Sequence, residues 1–231
     1  MKKTVIYPAL SSQAVDIAAH FWASQGIAVT NTPGDATHYL YPVPTPRDIV
    51  PPAGITVIGG NLDHLGDIPK LDLLQDMGYL AKNAAITAHC AIRLAADHLP
   101  DIFQELPTLV IGWGRIGKCL AAQLKAAGCR VQVAARRESD RAMLEALGYQ
   151  AISMARLPQA AEKCRLLFNT APAPVLQTGH LSCVKIDLAS VRGLDGSDVI
   201  WARGLPGKMA PEAAGRLVGE TVARQLKEEE A

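Results

Sequence analysis

The chain has 231 residues, 49% of them apolar and 19% charged, with 19 Gly and 15 Pro, a balance that supports a globular core and excludes a disordered or collagen-like chain. A formal net charge of +1, with 3 Trp, 5 Tyr and 3 Phe, provides neither the phosphate-neutralising excess nor the stacking platforms used in nucleic-acid binding, so no nucleic-acid partner is expected. The five cysteines, Cys90, Cys119, Cys129, Cys164 and Cys183, are too far apart for a zinc knuckle and odd in number, which argues against a disulfide framework, predicts no metal and fits a reducing cytoplasm.

In chain order, the apolar run of Thr4 to Tyr7 is broken by Pro8, too short for a secretory segment, and reads as a first strand. A helix follows from a Ser11 or Ser12 cap, with Val15, Ala18, Ala19 and Trp22 on one face, and Gly26 ends it. Short strands are predicted at Ile27 to Val29, His38 to Tyr41 and Thr56 to Ile58, around a Pro-rich stretch. A helix is predicted from Tyr79 to Leu99 and stops at Pro100. Beyond Pro107 the pattern turns to strand, glycine turn, helix and strand, with further strands at Leu166 to Phe168 and Val184 to Leu188. A last helix runs from Pro211 to about Leu226, and the acidic tail Lys227 to Glu230 reads as a solvated end. No run approaches the ~20 apolar residues of a membrane span, so no membrane association is expected.

Alternation of this kind predicts an α/β fold. A doubly wound, Rossmann-type parallel sheet over 100–231 would follow a smaller, flavodoxin-like α/β lobe over 1–99 that ends in the linking helix, and helix 211–226 would pack back on the first lobe.

The chemistry concentrates at Gly112-Trp113-Gly114-Arg115-Ile116-Gly117, directly after the apolar Leu109-Val110-Ile111 and at the start of an amphipathic helix. This is the context a dinucleotide fingerprint requires. The first glycine allows the tight turn, the second lets a pyrophosphate approach the main chain, and the third lets helix pack against strand; the helix N-terminus supplies unpaired N–H groups. Where an NAD site usually places an acid for the ribose 2′-hydroxyl, Val131-Gln132-Val133 runs into Ala134, Ala135, Arg136 and Arg137. Guanidinium groups there suit a 2′-phosphate, so NADP(H) is the expected cofactor.

Residues after the later strands face the same edge of a parallel sheet. Asn169, Thr170 and Ala171 offer a side-chain amide and loop amides for the nicotinamide ribose, or alternatively an ordinary Asx turn. Asp187, Ser190 and Arg192 place a carboxylate, a hydroxyl and a guanidinium within six residues, Asp187 having a turn cap as its other reading. Arg203 and Lys208 flank a Gly-rich loop as candidate anion contacts. His89 lies on the helix joining the lobes, where clefts form. The candidate catalytic set is therefore Asp187, Ser190, Arg192, Lys208 and His89. No histidine follows Arg192, which argues against the carboxylate-histidine chemistry of 2-hydroxy-acid dehydrogenases.

Taken together, Asn83-Ala84-Ala85-Ile86-Thr87-Ala88, Val110 to Gly117, Val133-Ala134-Ala135-Arg136, Phe168-Asn169-Thr170, Ile186 to Ser190 and Gly204 to Pro211 resemble the family of the dipicolinate synthase A subunit over roughly 67–226. The resemblance implies a two-lobed, NADP-dependent oxidoreductase that oxidises dihydrodipicolinate, or a similar small cyclic dicarboxylate, in the cleft between lobes. It also implies a role in sporulation, a flavoprotein-like second subunit, homo-oligomers and a cytoplasmic location. The chain departs from the family in a shorter first lobe, in His89 where Glu is common, and in Arg203 where Pro is expected. A noncatalytic, NADPH-binding or regulatory subunit that supports a partner enzyme is the alternative reading.

Overall fold

A computed structural model describes residues 4–230. In chain order the elements are β1 (Val5–Pro8), α1 (Gln13–Ser24), β2 (Ala28–Val29), β3 (His38–Leu40), β4 (Thr56–Gly59), β5 (Lys70–Asp72) and α2 (Met77–His98). Then come β6 (Pro107–Ile111), α3 (Arg115–Ala126), β7 (Arg130–Ala134), α4 (Glu138–Ala146), β8 (Gln150–Ile152), α5 (Leu157–Ala161), β9 (Leu166–Asn169), β10 (Leu176–Gln177), β11 (Val184–Asp187), β12 (Leu194–Asp195) and β13 (Ile200–Trp201). The chain closes with α6 (Leu205–Met209) and α7 (Pro211–Glu230). No helix among the described residues is long and apolar enough to cross a membrane.

The contacts divide the chain into two compact units, one running up to Ile86 and resuming at Pro206, the other Thr87–Leu205. The sequence reading draws a single boundary at 99/100. It misses this division because a helix of 22 residues reads as one element whichever unit each half packs in.

The first unit has a parallel sheet in the order β2-β1-β3-β4-β5, the flavodoxin-like order. Ser12 caps α1, its hydroxyl accepting from Val15 N at 3.2 Å, and Gly26 leaves the helix at φ 76°; both agree with the turn chemistry of the sequence. Ser12→Ala should cost about 1 kcal/mol of stability, read from the denaturant midpoint of that unit. Val15, Ala18 and Trp22 pack into a core shared with Ile6, Leu40 and Ile58 from the sheet and with Leu217, Val218 and Val222 from α7.

The two helices α1 and α7 approach closely at Gly215 and Gly219. A Cβ at Gly215 would meet Ala14 O at 2.5 Å, and one at Gly219 would strike the Phe21 ring at 2.6 Å. The fully buried Trp22 donates through Nε1 to the Gly219 carbonyl at 2.9 Å. Small residues four apart on a helix allow this close crossing. The segment Lys227 to Glu230 continues α7 as helix, with Lys227 and Glu228 exposed to solvent, and Arg224 pairs with Glu228 one turn on at 3.0 Å.

The second unit has a six-stranded, all-parallel sheet in the order β13-β11-β9-β6-β7-β8. Read from β8 this is the 3-2-1-4-5-6 order of a Rossmann sheet, whose direction of winding reverses between β6 and β9. Leu109, Val110, Leu166, Leu167, Phe168 and Ile186 are all fully buried, as expected for strands covered on both faces. Beside it, β10 and β12 form a separate two-stranded parallel pair. Strands this short leave too little periodicity to be found from sequence.

Candidate functional site

The winding reversal brings the loop after β6 against the loop after β9. Gly112 sits at φ 102°, in the region only glycine tolerates, and a Cβ there would meet Thr170 Oγ1 at 2.5 Å. Thr170 is pinned to β6, its N–H and its hydroxyl both donating to the Ile111 carbonyl, at 2.8 and 2.9 Å. A Cβ on Gly117 would run into the carbonyl of Gly112, so this glycine sets the distance between α3 and β6. Gly114 is different. It caps α3 in extended backbone (φ −79°, ψ −171°) with no side chain bonded to the helix end, and a Cβ there would point into open space. The first N–H groups of α3 therefore face an open position with no acceptor among the described residues.

Trp113 lies in the loop between Gly112 and Gly114 and is half-buried. Its ring meets Tyr149 edge-on at 5.8 Å between centroids, with the Lys118 ammonium 5.8 Å from the Trp113 ring. Arg115 is exposed and Ile116 half-buried on the first turn of α3.

At the end of β7, Ala135 is buried and its N–H donates to the Ile152 carbonyl at 3.1 Å. Arg136 and Arg137 are exposed, and neither side chain has a hydrogen-bond or ion-pair partner among the described residues. A residue absent from the sequence reading holds their loop. Arg141 Nη1 donates to the carbonyls of Ala135 and Arg136, at 3.0 and 2.7 Å. An arginine in the first turns of a helix, where the macrodipole favours acids, was the available signal.

The loops after β9 and β11 are tied together from inside. Asn169 is fully buried; its Oδ1 accepts from Ala171 N at 3.0 Å, and its Nδ2 donates to Ala171 O at 3.1 Å and to Asp187 Oδ1 at 2.9 Å. This is the Asx turn, the other reading of the sequence, and it uses both hydrogens of the Asn169 amide within the protein.

Asp187 is also fully buried. Its Oδ1 accepts from Asn169 and, at 3.0 Å, from Ala189 N, while Oδ2 accepts from Gly193 N at 2.7 Å and Leu194 N at 2.9 Å. Four donors use the lone pairs of the carboxylate. The catalytic expectation for Asp187 gives way to its other reading, a structural turn anchor. Gly193 fits beneath because a Cβ would lie 2.5 Å from Ala173 O and from Asn169 Nδ2.

On this scaffold Ser190 is exposed, and Arg192 reaches from the exposed loop to the Gly196 carbonyl at 2.7 Å. Arg203 and Trp201 share one acceptor, the Ala189 carbonyl, at 3.0 and 3.1 Å. The exposed Arg203 guanidinium lies 5.9 Å from the Trp201 ring, so a hydrogen bond and a ring contact bias its position near the sheet edge where β11 ends. His89 is exposed on α2 and without a hydrogen bond among the described residues, and Lys208 is exposed on α6 in the first unit. No group of metal-ligating side chains occurs among the described residues.

No family model matches the chain. It is 28% identical over 159 residues to the A subunit of dipicolinate synthase from Bacillus subtilis (strain 168), a stretch covering 63% of this chain and 54% of that protein. The match thus spans about half the length of the curated relative. In fold it is similar to the crystal structure of the dipicolinate synthase A subunit from Bacillus halodurans, with a TM-score of 0.83, 20% identity and 97% of each chain covered. It is also similar to a transhydrogenase from Sinorhizobium meliloti, with a TM-score of 0.70, 15% identity, and 97% of this chain and 94% of that one covered. By sequence over the matched stretch and by fold over nearly its whole length, the chain is similar to the dipicolinate synthase A subunit.

Proposed function

We propose that the chain is an NADP(H)-dependent oxidoreductase of the kind found in the dipicolinate synthase A subunit, acting on dihydrodipicolinate or a similar small cyclic dicarboxylate. The observation that carries the reading is the open position at Gly114, before the uncapped start of α3 at the winding reversal, with two guanidinium side chains on the neighbouring strand end that have no partner among the described residues. Main-chain N–H groups of 114–117 would hold a pyrophosphate. Arg136 and Arg137 would pair with a 2′-phosphate, on a loop that Arg141 positions. The Thr170 and Ala171 loop would line the same edge. When bound, the nicotinamide ring supplies the acceptor or donor of a hydride.

The rest falls to the side chains of the chain itself. Arg192 and Arg203 offer planar donors that match a carboxylate and fix its orientation, and the anchoring of Arg203 to Ala189 O reduces the freedom lost on binding. Ser190 adds a hydroxyl for substrate contact beside them. Loss of hydride from a dihydropyridine dicarboxylate is driven by aromatisation, which lessens what the protein must contribute to the chemical step.

The commitment of Asp187 to backbone donors favours a second reading, a nucleotide-binding subunit that supports a partner such as a flavoprotein-like second subunit. Turnover separates the two. The enzyme reading expects NADPH to form when NADP and dihydrodipicolinate are mixed with the chain; nucleotide binding with no redox change, alone or with a co-purifying partner, selects the second.

Cofactor choice is tested by ligand-linked thermal stabilisation. NADPH should stabilise the chain more than NADH does. Arg136→Ala with Arg137→Ala should weaken NADPH by about 1.5 to 3 kcal/mol, roughly tenfold to over a hundredfold, and leave NADH within about twofold. Equal losses for both nucleotides would remove the phosphate assignment.

A further inference from the structure

Among the tryptophan, tyrosine and phenylalanine side chains of the described residues, Trp201 alone is exposed, at 49%. It is the last residue of β13 and pairs in register with Asp187, the last residue of β11. Its indole N–H reaches past that strand end to donate to the Ala189 carbonyl. The ring therefore lies at the edge where the strands of a parallel sheet finish, the edge at which such sheets bind ligands.

The hydrogen bond decides what is left in solvent. With its N–H turned in toward the main chain, the indole presents carbon surface to water, the reverse of the usual arrangement in which the ring packs inward and the polar tip is wet. Val191, two residues beyond the shared acceptor, is 54% exposed. Single exposed apolar residues are ordinary on a protein surface, but two large ones about one carbonyl, framed by charged groups, mark a place where a ligand binds.

The frame is cationic. Ser190 and Arg192 flank Val191 and are exposed, and the Arg203 guanidinium, bonded to the same Ala189 carbonyl, lies 5.9 Å from the indole centroid. A flat apolar ring beside planar donors matches one ligand chemistry, a flat unsaturated ring that carries carboxylates. Its ring stacks on the indole while a carboxylate meets a guanidinium. A puckered ring with the same carboxylates finds the guanidinium but loses the stack.

We propose that Trp201 is a specificity-determining residue that holds the substrate ring by stacking and selects flat, unsaturated cyclic carboxylates, an assignment that rests on the reading of this site as one for cyclic dicarboxylates. It supplies the contact that separates a dihydropyridine and its aromatic product from ring-saturated acids. Because the ring flattens as it loses hydride, the stack strengthens along the reaction, and an interaction stronger in the transition state than in the ground state speeds the step.

Two redox-inert acids test this by isothermal titration into the full chain with NADPH present. Isophthalate is flat, and cis-hexahydroisophthalate carries its two carboxylates on a puckered ring. Isophthalate should bind about tenfold more tightly. Trp201→Ala should remove that preference, while Trp201→Phe, which keeps a flat ring but lacks the N–H, should retain most of it. Equal binding of the two acids by the parent chain, binding of neither, or an equal loss for both in Trp201→Ala would overturn the proposal. So would sedimentation showing that Trp201→Ala turns a parent dimer into a monomer, since the ring would then be a contact between copies. The two readings fail separately. A preference for isophthalate without turnover of dihydrodipicolinate removes the enzyme reading and keeps Trp201 in its role, whereas turnover without the preference removes the role of Trp201 alone.

Discussion

Gly114→Ala is expected to weaken NADPH and NADH binding roughly tenfold or more, about 1.4 kcal/mol at least, while the fold stays intact. The reason is where the added methyl goes. Apart from its neighbours in the chain, nothing among the described residues lies within 4 Å of it, so it meets only what comes to the helix end, and an alanine at this cap costs about 1 kcal/mol or less of stability. Gly117→Ala makes the opposite case. Its methyl would enter the Gly112 carbonyl, which is backbone and cannot step aside, so the helix must shift, at about 1 to 3 kcal/mol. Isothermal titration and thermal denaturation of the two variants side by side distinguish a ligand cradle from a tight turn. If Gly114→Ala bound nucleotide as the parent does, no pyrophosphate would rest there.

The second large effect is at Asp187. Asp187→Ala leaves Asn169 Nδ2 and three backbone N–H groups, of Ala189, Gly193 and Leu194, without their acceptor in a buried site. Each orphaned donor costs about 1 to 3 kcal/mol. The loss should reach several kcal/mol, enough to unfold much of the second unit at moderate temperature. Asp187→Asn should fare little better, because its amide turns donors toward donors. Ser190→Ala, at an exposed position, should leave stability within about 0.5 kcal/mol. Circular dichroism during denaturant titration checks all three, and a normally stable Asp187→Ala would return the carboxylate to the groups free for chemistry.

The glycine loop was legible because its chemistry is local. Strand, turn and helix follow one another within about twenty residues, and each glycine answers to a nearby steric demand. Arg136 and Arg137 were legible for the same reason, since the end of the neighbouring strand lies at a set distance from the turn. Arg141 escaped notice because its task is to bind carbonyls in a loop whose path is not written in the spacing. His89 on α2 and Lys208 on α6 are both exposed and without a side-chain partner among the described residues, so packing neither fixes them nor uses them elsewhere.

Composition and periodicity alone determined a chain built of α/β units, a tight glycine turn between strand and helix after Ile111 and a helix from Ser12, because these depend on contacts within one or two turns of backbone. Tertiary structure decided the strand orders, the crossing of α1 and α7 at two glycines, and the enclosure of Asp187. These depend on which distant segments become neighbours, and a parallel sheet joins its strands through crossovers whose length says nothing about which strands finally pair.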